Sequence, residues 1–556
     1  MTAAIYYHPE AYTTSGPKLM GRNAAGESFL RGFLVYSQAD AFWAQVDKPE
    51  HAKAFALSVQ AAGRAEAVKV VDKNSLGALA EPGVVYYPGP GIGVHAWHRA
   101  AAGGAAGHGA WSLCGITHTT SSAGAMDSLA DLLTAPVQAW DAVICTSTAV
   151  KHNVTRLLQA QADYLVQRLG VQRLVLPQLP VIPLGIHTQD FAYTEAQRAI
   201  ARAAVGADAH TLVVLYTGRL SFHAKAHPLA MYQALEQAAQ ALPAGQKVLL
   251  LECGWHANEF IEKAYADAAQ LACPSVRVLT MDGRKAEARQ TAWASADVFC
   301  SLSDNIQETF GIVPIEAMAA GLPVVVSDWD GYKDTVREGI DGFRIQTLMP
   351  GAGLGSDLAQ RHALEIDTYD MYCGHTCSLV AVDVEAAAQA FTRLFASPEL
   401  RQQLGQTGRQ RAREVYDWAV IIPQYEALWA QLTELRKAQA TTLKPLPQPW
   451  PARMDPFDAF ASYPTQTLTP QTVLALVDAD SAITLARVGA YQKLAMVNFA
   501  KMVLPSEAEV QLVLNAAASG AKTALELIQA IPAERQAHVF RALVWLLKLG
   551  ILKVCS

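Results

Sequence analysis

Two glutamates, Glu308 and Glu316, frame the stretch "ETFGIVPIE", which runs on into the apolar segment "AMAAGLPVVVSD". Gly311 permits close backbone approach and Pro314 is tolerated in a first helical turn, so a helix is expected to begin near Ile312. The unsatisfied N–H groups at such a terminus form an anion site. A bare carboxylate repels a phosphate. Glu308 just before the helix and Glu316 one turn inside it are therefore expected to accept hydrogen bonds from hydroxyls flanking a bound phosphate. Sugar hydroxyls on one side and ribose hydroxyls on the other describe a sugar nucleotide. Two glutamates at this spacing also occur on ordinary solvated helices, and spacing alone does not separate the two readings.

A second stretch, "YTGRLSFHAKAHP", sets Arg219 directly after a strand-like run and Gly218, with Lys225 a little further on, before a helical pattern. Arg grips phosphate oxygens through its fork and Lys acts as a point charge. Together they suit a departing nucleoside diphosphate. A solvated basic loop is the alternative. Both stretches fall at strand ends of the same α/β half, and each strengthens the other.

The elements that would hold them are readable from periodicity. From about Thr211, "TLVVLYTG", "KVLLLECG", "SVRVLT", "ADVFCSL", "LPVVVSD" and "GFRI" read as strands, alternating with helical patterns such as "ANEFIEKAYADAAQLA" and "GIVPIEAMAA". That order predicts a parallel, doubly wound sheet. The first half repeats it less cleanly, with "GVVYYPG", "LCGITHT", "DAVICTS" and "LPVIPLGI" as strands and a long helix over 148–169. The expected fold class is α/β, with two Rossmann-like domains facing across a cleft and a mainly helical C-terminal domain. The domains expected are 1–190 and 191–437, the second carrying an unpatterned insertion loop at 347–380. A Pro-rich linker at 438–456 and a helical, winged-helix-like unit at 457–556 follow, in which "ERQAHVFRALVWLLKLGILKV" looks like the helix and turn entering a winged-helix hairpin. Ligands in such sheets bind beyond the carboxyl ends of the strands.

At 556 residues and 51% hydrophobic content the chain can build two or three cores. A net charge of -6 with 17% charged residues gives no bias towards nucleic acid or an acidic membrane surface. The first residues lack a basic segment followed by a long apolar one, and eight scattered cysteines suit a reducing compartment. A soluble, cytoplasmic protein is expected, with at most peripheral membrane association. "CGHTC", Cys373 to Cys377, lacks a second Cys/His pair at zinc-site spacing and is read as structural.

"ETFGIVPIEAMAAGLPVVVSD" resembles the E-x7-E signature of retaining GT-B glycosyltransferases, in particular glycosyltransferase family 4. "GRLSFHAK" and "VIPLGIHTQDF" are similar to that family's diphosphate loop and interdomain segment, although Leu184 stands where the family mostly has Asn. The resemblance covers roughly residues 1–435, is strongest over 211–345, and implies that 1–190 is the acceptor side and that 191–437 binds the nucleotide-sugar donor. It implies that Glu308 contacts donor-sugar hydroxyls, that Thr309, Phe310, Gly311 and Ile312 offer backbone amides to the sugar and diphosphate, and that Glu316 holds the ribose. Arg219 and Lys225 would stabilise the leaving diphosphate, and the "TMDG" turn with Met281 and Asp282 would lie near the base. "GRNAAGESFLRGF" resembles the family's glycine-rich loop, with Gly26 its fitting glycine and Ala25 a departure. "GITHTTSS" would put His118 beside the reacting sugar carbon.

The reaction implied is transfer of a sugar from a nucleotide donor to a hydroxyl acceptor, a glycan, glycoconjugate or small molecule, with retained anomeric configuration. Neither a cofactor nor a metal is expected, and the D-x-D strings at Asp328–Asp330 and Asp478–Asp480 read as incidental. The alternatives are another GT-B sugar-nucleotide enzyme, such as an epimerase, or a non-catalytic sugar-nucleotide sensor. Between Ala440 and Ser556, ten Lys or Arg against eight Asp or Glu give only +2, too weak a balance for a nucleic-acid partner. Self-association or a protein partner is the expected use of 457–556.

Overall fold

The apolar, β-branched runs pair side by side in two six-stranded parallel sheets. The computed structural model describes residues 3–13, 21–443 and 448–555. In the first sheet β1 (Ala4–Tyr6), β2 (Ala41–Gln45), β3 (Ala67–Val71), β4 (Val84–Tyr86), β5 (Ser112–Ile116) and β6 (Ala142–Ile144) lie in the order β3-β2-β1-β4-β5-β6. In the second, β7 (Thr211–Thr217), β8 (Lys247–Gly254), β9 (Arg277–Asp282), β10 (Val298–Ser301), β11 (Val324–Ser327) and β12 (Gly342–Ile345) lie in the order β12-β11-β10-β7-β8-β9. Strand order reverses between β1 and β4 and again between β7 and β10. Such switch points open crevices at the carboxyl ends of the strands. The expected pair of Rossmann-like layers is present.

All six strand-like runs of the second half become strands. The helix Thr148–Leu169 has the expected bounds because its caps are local: Ser147 Oγ accepts from the Val150 N–H at 3.1 Å, and Gly170 ends it with φ of 67°. Three readings need correction. "LPVIPLGI" is no regular strand. Its prolines cannot donate to a ladder, and it makes only isolated bridges, Val181 to Cys145 and Ile186 to Asp417. "GRNAAGESFLRGF" is not a loop but part of the helix Gly21–Tyr36, and a Cβ on Gly26 would collide with the Ala11 carbonyl. The segment 347–380 is not unpatterned either. A two-stranded ribbon, β13 (Thr347–Leu348) with β14 (Ala381–Val382), closes a pair of helices, Ser356–Ala363 and Tyr369–Cys377. Capping by Thr368 and the Arg361–Asp367 pair, neither visible as apolar periodicity, order them.

The helix Trp418–Gln439, which the expected boundary at 437 assigns to the second half, packs on the helix Gly21–Tyr36 and on β4 and β5 of the first sheet. The Trp418 indole N–H donates to Ser28 Oγ at 2.8 Å, and Arg436 donates to the carbonyls of Gly83, Gly109 and Ala110. The chain divides into two compact units, Met1–Trp450 and Pro451–Ser556. Of the expected linker, residues 444–447 lie outside the described residues. The second unit is mainly helical, with an antiparallel sheet ordered β16-β15-β17 from β15 (Val473–Leu476), β16 (Lys522–Thr523) and β17 (Leu552–Val554). The apolar face of "ALVWLLKLGILKV" is buried within that unit, where Leu543, Leu546, Ile551 and Leu552 join its core. No helix among the described residues is long and apolar enough to cross a membrane.

Candidate active site

Two loops leave the strands that flank the second sheet's switch point, one after β7 and one after β10. Gly218, with φ of 149°, starts the first in a conformation that favours glycine. Arg219 then folds back: its Nη2 donates to the Ala224 carbonyl at 3.0 Å and to Gln307 Oε1 at 2.8 Å, tying the first loop to the second. Asn305 fastens the same junction, donating to the His223 carbonyl at 3.0 Å and accepting the Gln307 N–H at 3.0 Å. The Trp329 indole N–H donates to the Asn305 carbonyl.

This scaffold brings Lys225 and Glu308 into direct ionic contact. The other carboxylate oxygen of Glu308 accepts the N–H groups of Thr309 at 3.3 Å and Gly311 at 3.1 Å. Burial would raise the Glu308 carboxyl, but the Lys225 ammonium and these N–H groups outweigh it and hold the pKa below the usual range. Glu308 is thus an anion held at the start of the helix Ile312–Ala320. Gly311 sits at that helix's N-cap with φ of 78°, and a Cβ there would fall inside the Tyr332 ring. Only glycine satisfies both demands. Glu316, one turn in, is partly buried. Desolvation pushes its carboxyl up to about 8 against the opposing charge of Arg289, and Tyr193 lies within its electrostatic reach.

The first sheet meets these loops. The Thr309 hydroxyl donates to the His118 carbonyl at 3.2 Å, and the Thr309 carbonyl accepts from Ser147 Oγ at 2.8 Å. His118 follows β5, so the carboxyl ends of β5 and β6 face the start of the Ile312–Ala320 helix. The Thr148 N–H donates to Asp334 at 2.6 Å. Asp330 lies at the same junction with φ of 45°, its Oδ2 buried and without a hydrogen-bond partner among the described residues. Burial, with Glu308 nearby, lifts its carboxyl to about 8. From the side, Tyr369 of the inserted helix reaches Ser121 at 3.1 Å, while Gly374 packs on His223 and the Cys377 thiol faces the Phe222 and His223 carbonyls.

The structure therefore gathers Arg219, Lys225, Glu308, Thr309, Gly311, Ile312 and His118 around one junction. Phe310 supports it from within, 2% exposed and edge-on to Tyr416. Glu316 lies further along the same helix. Met281 and Asp282 close β9 rather than forming a free turn, with Asp282 paired to Arg284 at 2.8 Å. Gly26 is not brought into the cluster. Its nearest surroundings are Ala11 and Tyr12. Sequence reasoning missed Ser147, Asp330, Tyr369 and Arg289. Asp330 stood in a string read as incidental; the positive φ before Gly331 is a tertiary property that no periodicity reports. Ser147 was visible only as a helix cap.

Residues 197–348 match the family model described as glycosyl transferases group 1. The chain is 33% identical over 137 residues to a phosphatidyl-myo-inositol mannosyltransferase of Mycobacterium leprae, covering 24% of this chain and 27% of that protein. It is 29% identical over 255 residues to a D-inositol 3-phosphate glycosyltransferase of Mycolicibacterium vanbaalenii, covering 42% of this chain and 52% of that one. The matched parts thus span between about a quarter and about half of these relatives' lengths. A crystal structure of Anabaena HepE in complex with UDP superposes with a TM-score of 0.51 at 15% identity, covering 78% of this chain and 100% of that one. At that identity the likeness is one of fold, and the two facing Rossmann-like domains are those of GT-B.

Proposed function

We propose that this protein transfers a sugar from a nucleotide-sugar donor to a hydroxyl acceptor, with retention of anomeric configuration and without a metal ion. The observation that carries the reading is the Lys225–Glu308 pair, set at the start of the Ile312–Ala320 helix and beside the Arg219 loop. Glu308 is ionised there and offers its carboxylate to sugar hydroxyls. Lys225, Arg219 and the helix's own first N–H groups form the positive face that a diphosphate requires. Charge on the leaving diphosphate grows during the reaction, so cations fixed beside it lower the barrier without reorganising. Glu316, deeper along the helix, accepts from ribose hydroxyls, and the end of β9 lies towards the base. His118 and Thr309 face the reacting carbon from opposite halves.

A group 1 transferase domain in this chain, mannosyl- and glycosyltransferase relatives, and a UDP-bound structural neighbour support the donor class. The test is release of nucleoside diphosphate from UDP-, GDP- and ADP-sugars, with and without hydroxyl acceptors, followed by NMR of the product's anomeric proton. Acceptor-stimulated release with retained configuration is expected. Inversion, or nucleotide binding with no turnover on any donor, overturns the reading.

A further inference from the structure

The first half holds a cavity of about 330 Å³ that the donor site leaves unused. It opens at the carboxyl ends of the strands, lined by Tyr6, which ends β1, Asp47 after β2, Lys73 after β3, and His95 and His98 of the helix Gly93–Ala102. This is the same sheet edge that carries His118 after β5. The ends of β4 and β5 are laced together there, the Tyr87 N–H donating to the Cys114 carbonyl and the Ile116 N–H to the Gly89 carbonyl. The cavity lies on the far side of β4 from His118, beside the first sheet's switch point.

Its walls have two faces. One is aromatic: His95 stacks on Tyr87 with ring centroids 3.8 Å apart, and Tyr6 lies 5.4 Å from His95. The other is polar and already ordered. The Tyr6 hydroxyl donates to Asp47 Oδ2 at 2.7 Å, Lys73 Nζ lies 3.2 Å from Asp47 Oδ1, and Gln45 accepts from the Tyr87 hydroxyl at 2.9 Å. Burial lowers both histidines, His95 to about 3, so they are neutral at pH 7. Asp47 is ionised: burial alone would raise it, but Tyr6 and Lys73 hold it below its usual value. Among the described residues one anion, Asp47, and one cation, Lys73, line the cavity, and they offset each other.

We propose that this cavity binds an uncharged polyhydroxyl ring of the acceptor, a sugar or cyclitol, and disfavours its phosphorylated counterpart; the proposal rests on the glycosyl-transfer reading above. An apolar ring face meets the His95 and Tyr6 rings, while hydroxyls reach Asp47, Gln45 and Lys73. The Asp47 carboxylate faces any incoming phosphate with a like charge, which offsets Lys73, the cation among the described lining residues.

The test is saturation-transfer NMR and competition titration on the full chain with myo-inositol, glucose and maltose, beside inositol 1-phosphate and glucose 6-phosphate. At least one uncharged probe is expected to bind, about tenfold or more tighter than its phosphate. Asp47→Asn should weaken the uncharged probe and narrow that preference. His95→Ala should weaken both classes, and His98→Ala is read in its place if His95→Ala unfolds. A phosphate binding more tightly than its parent, no binding by any probe, or binding indifferent to these substitutions each overturns the proposal. UDP, GDP and ADP titrated in parallel separate the two readings. Nucleotide binding without ring binding defeats this inference alone, and ring binding without nucleotide binding defeats the transfer reading.

Discussion

Replacing Lys225 by Ala removes the cation from a carboxylate whose side chain is 10% exposed, while the lysine itself is 23% exposed. Breaking a fully buried pair costs ~3–5 kcal/mol, and partial solvent access at Lys225 brings the expected loss of stability to ~2–3 kcal/mol. Kinetically, removing one fixed charge that stabilises the leaving group should lower kcat by about 10², or ~2.7 kcal/mol. Glu308→Gln keeps the shape but loses the charge, and the same fall is expected. If the two side chains work as one unit, Lys225→Ala in the Glu308→Gln background costs little more. The double variant should then sit near 10² rather than 10⁴ below the parent, a coupling of ~2.7 kcal/mol. The assay is steady-state release of nucleoside diphosphate at saturating donor. A double variant near 10⁴ down, with the singles adding to within ~0.5 kcal/mol, would refute the pairing as the basis of the site. Because the folded pKa of Glu308 is depressed, its stabilisation is present above the unfolded value of ~4.3 and lost as pH falls through the folded one. Without Lys225 that acid-side loss should shrink.

Glu316 titrates with the opposite sign. Its folded value of about 8 exceeds the unfolded ~4.3, so a destabilisation absent in acid grows as pH rises between the two. Glu316→Gln should therefore match the parent's melting temperature near pH 4 and exceed it by at least ~2 °C at pH 9; an equal offset at both pH values would contradict the raised carboxyl. Gly311→Ala should abolish donor binding in calorimetry, because the new Cβ meets the Tyr332 ring at a backbone φ of 78°. Turnover should persist in EDTA; activity lost to chelator and restored by Mg²⁺ or Mn²⁺ would return attention to Asp328 and Asp330. A chain ending after Trp450 keeps the whole Trp418–Gln439 helix and should fold and bind nucleotide, as thermal unfolding and calorimetry would show.

What the sequence determined by itself is the local part of this protein. Strands β7 to β12 and the helices Thr148–Leu169 and Ile312–Ala320 follow from periodicity and caps, which act over a few residues. The pairing of Lys225 with Glu308 was half legible: both stood at strand ends of one half, and parallel strands bring their carboxyl ends to one edge. Other features were decided only in three dimensions. Gly26 looks like a loop glycine in sequence, yet its surroundings make it a helix residue pressed on Ala11. The inserted segment shows no apolar repeat because its helices are short and held by an ion pair, a cap and contact with His223 rather than by an amphipathic face. His118 meets Thr309, Ser147 meets Asp330, and Tyr369 meets Ser121 across separations of 191, 183 and 248 residues. No short-range pattern encodes such encounters. They arise because each sheet places its loops on one edge and the Trp418–Gln439 helix carries the chain back to the first half, so the site's electrostatics exist only once those edges meet.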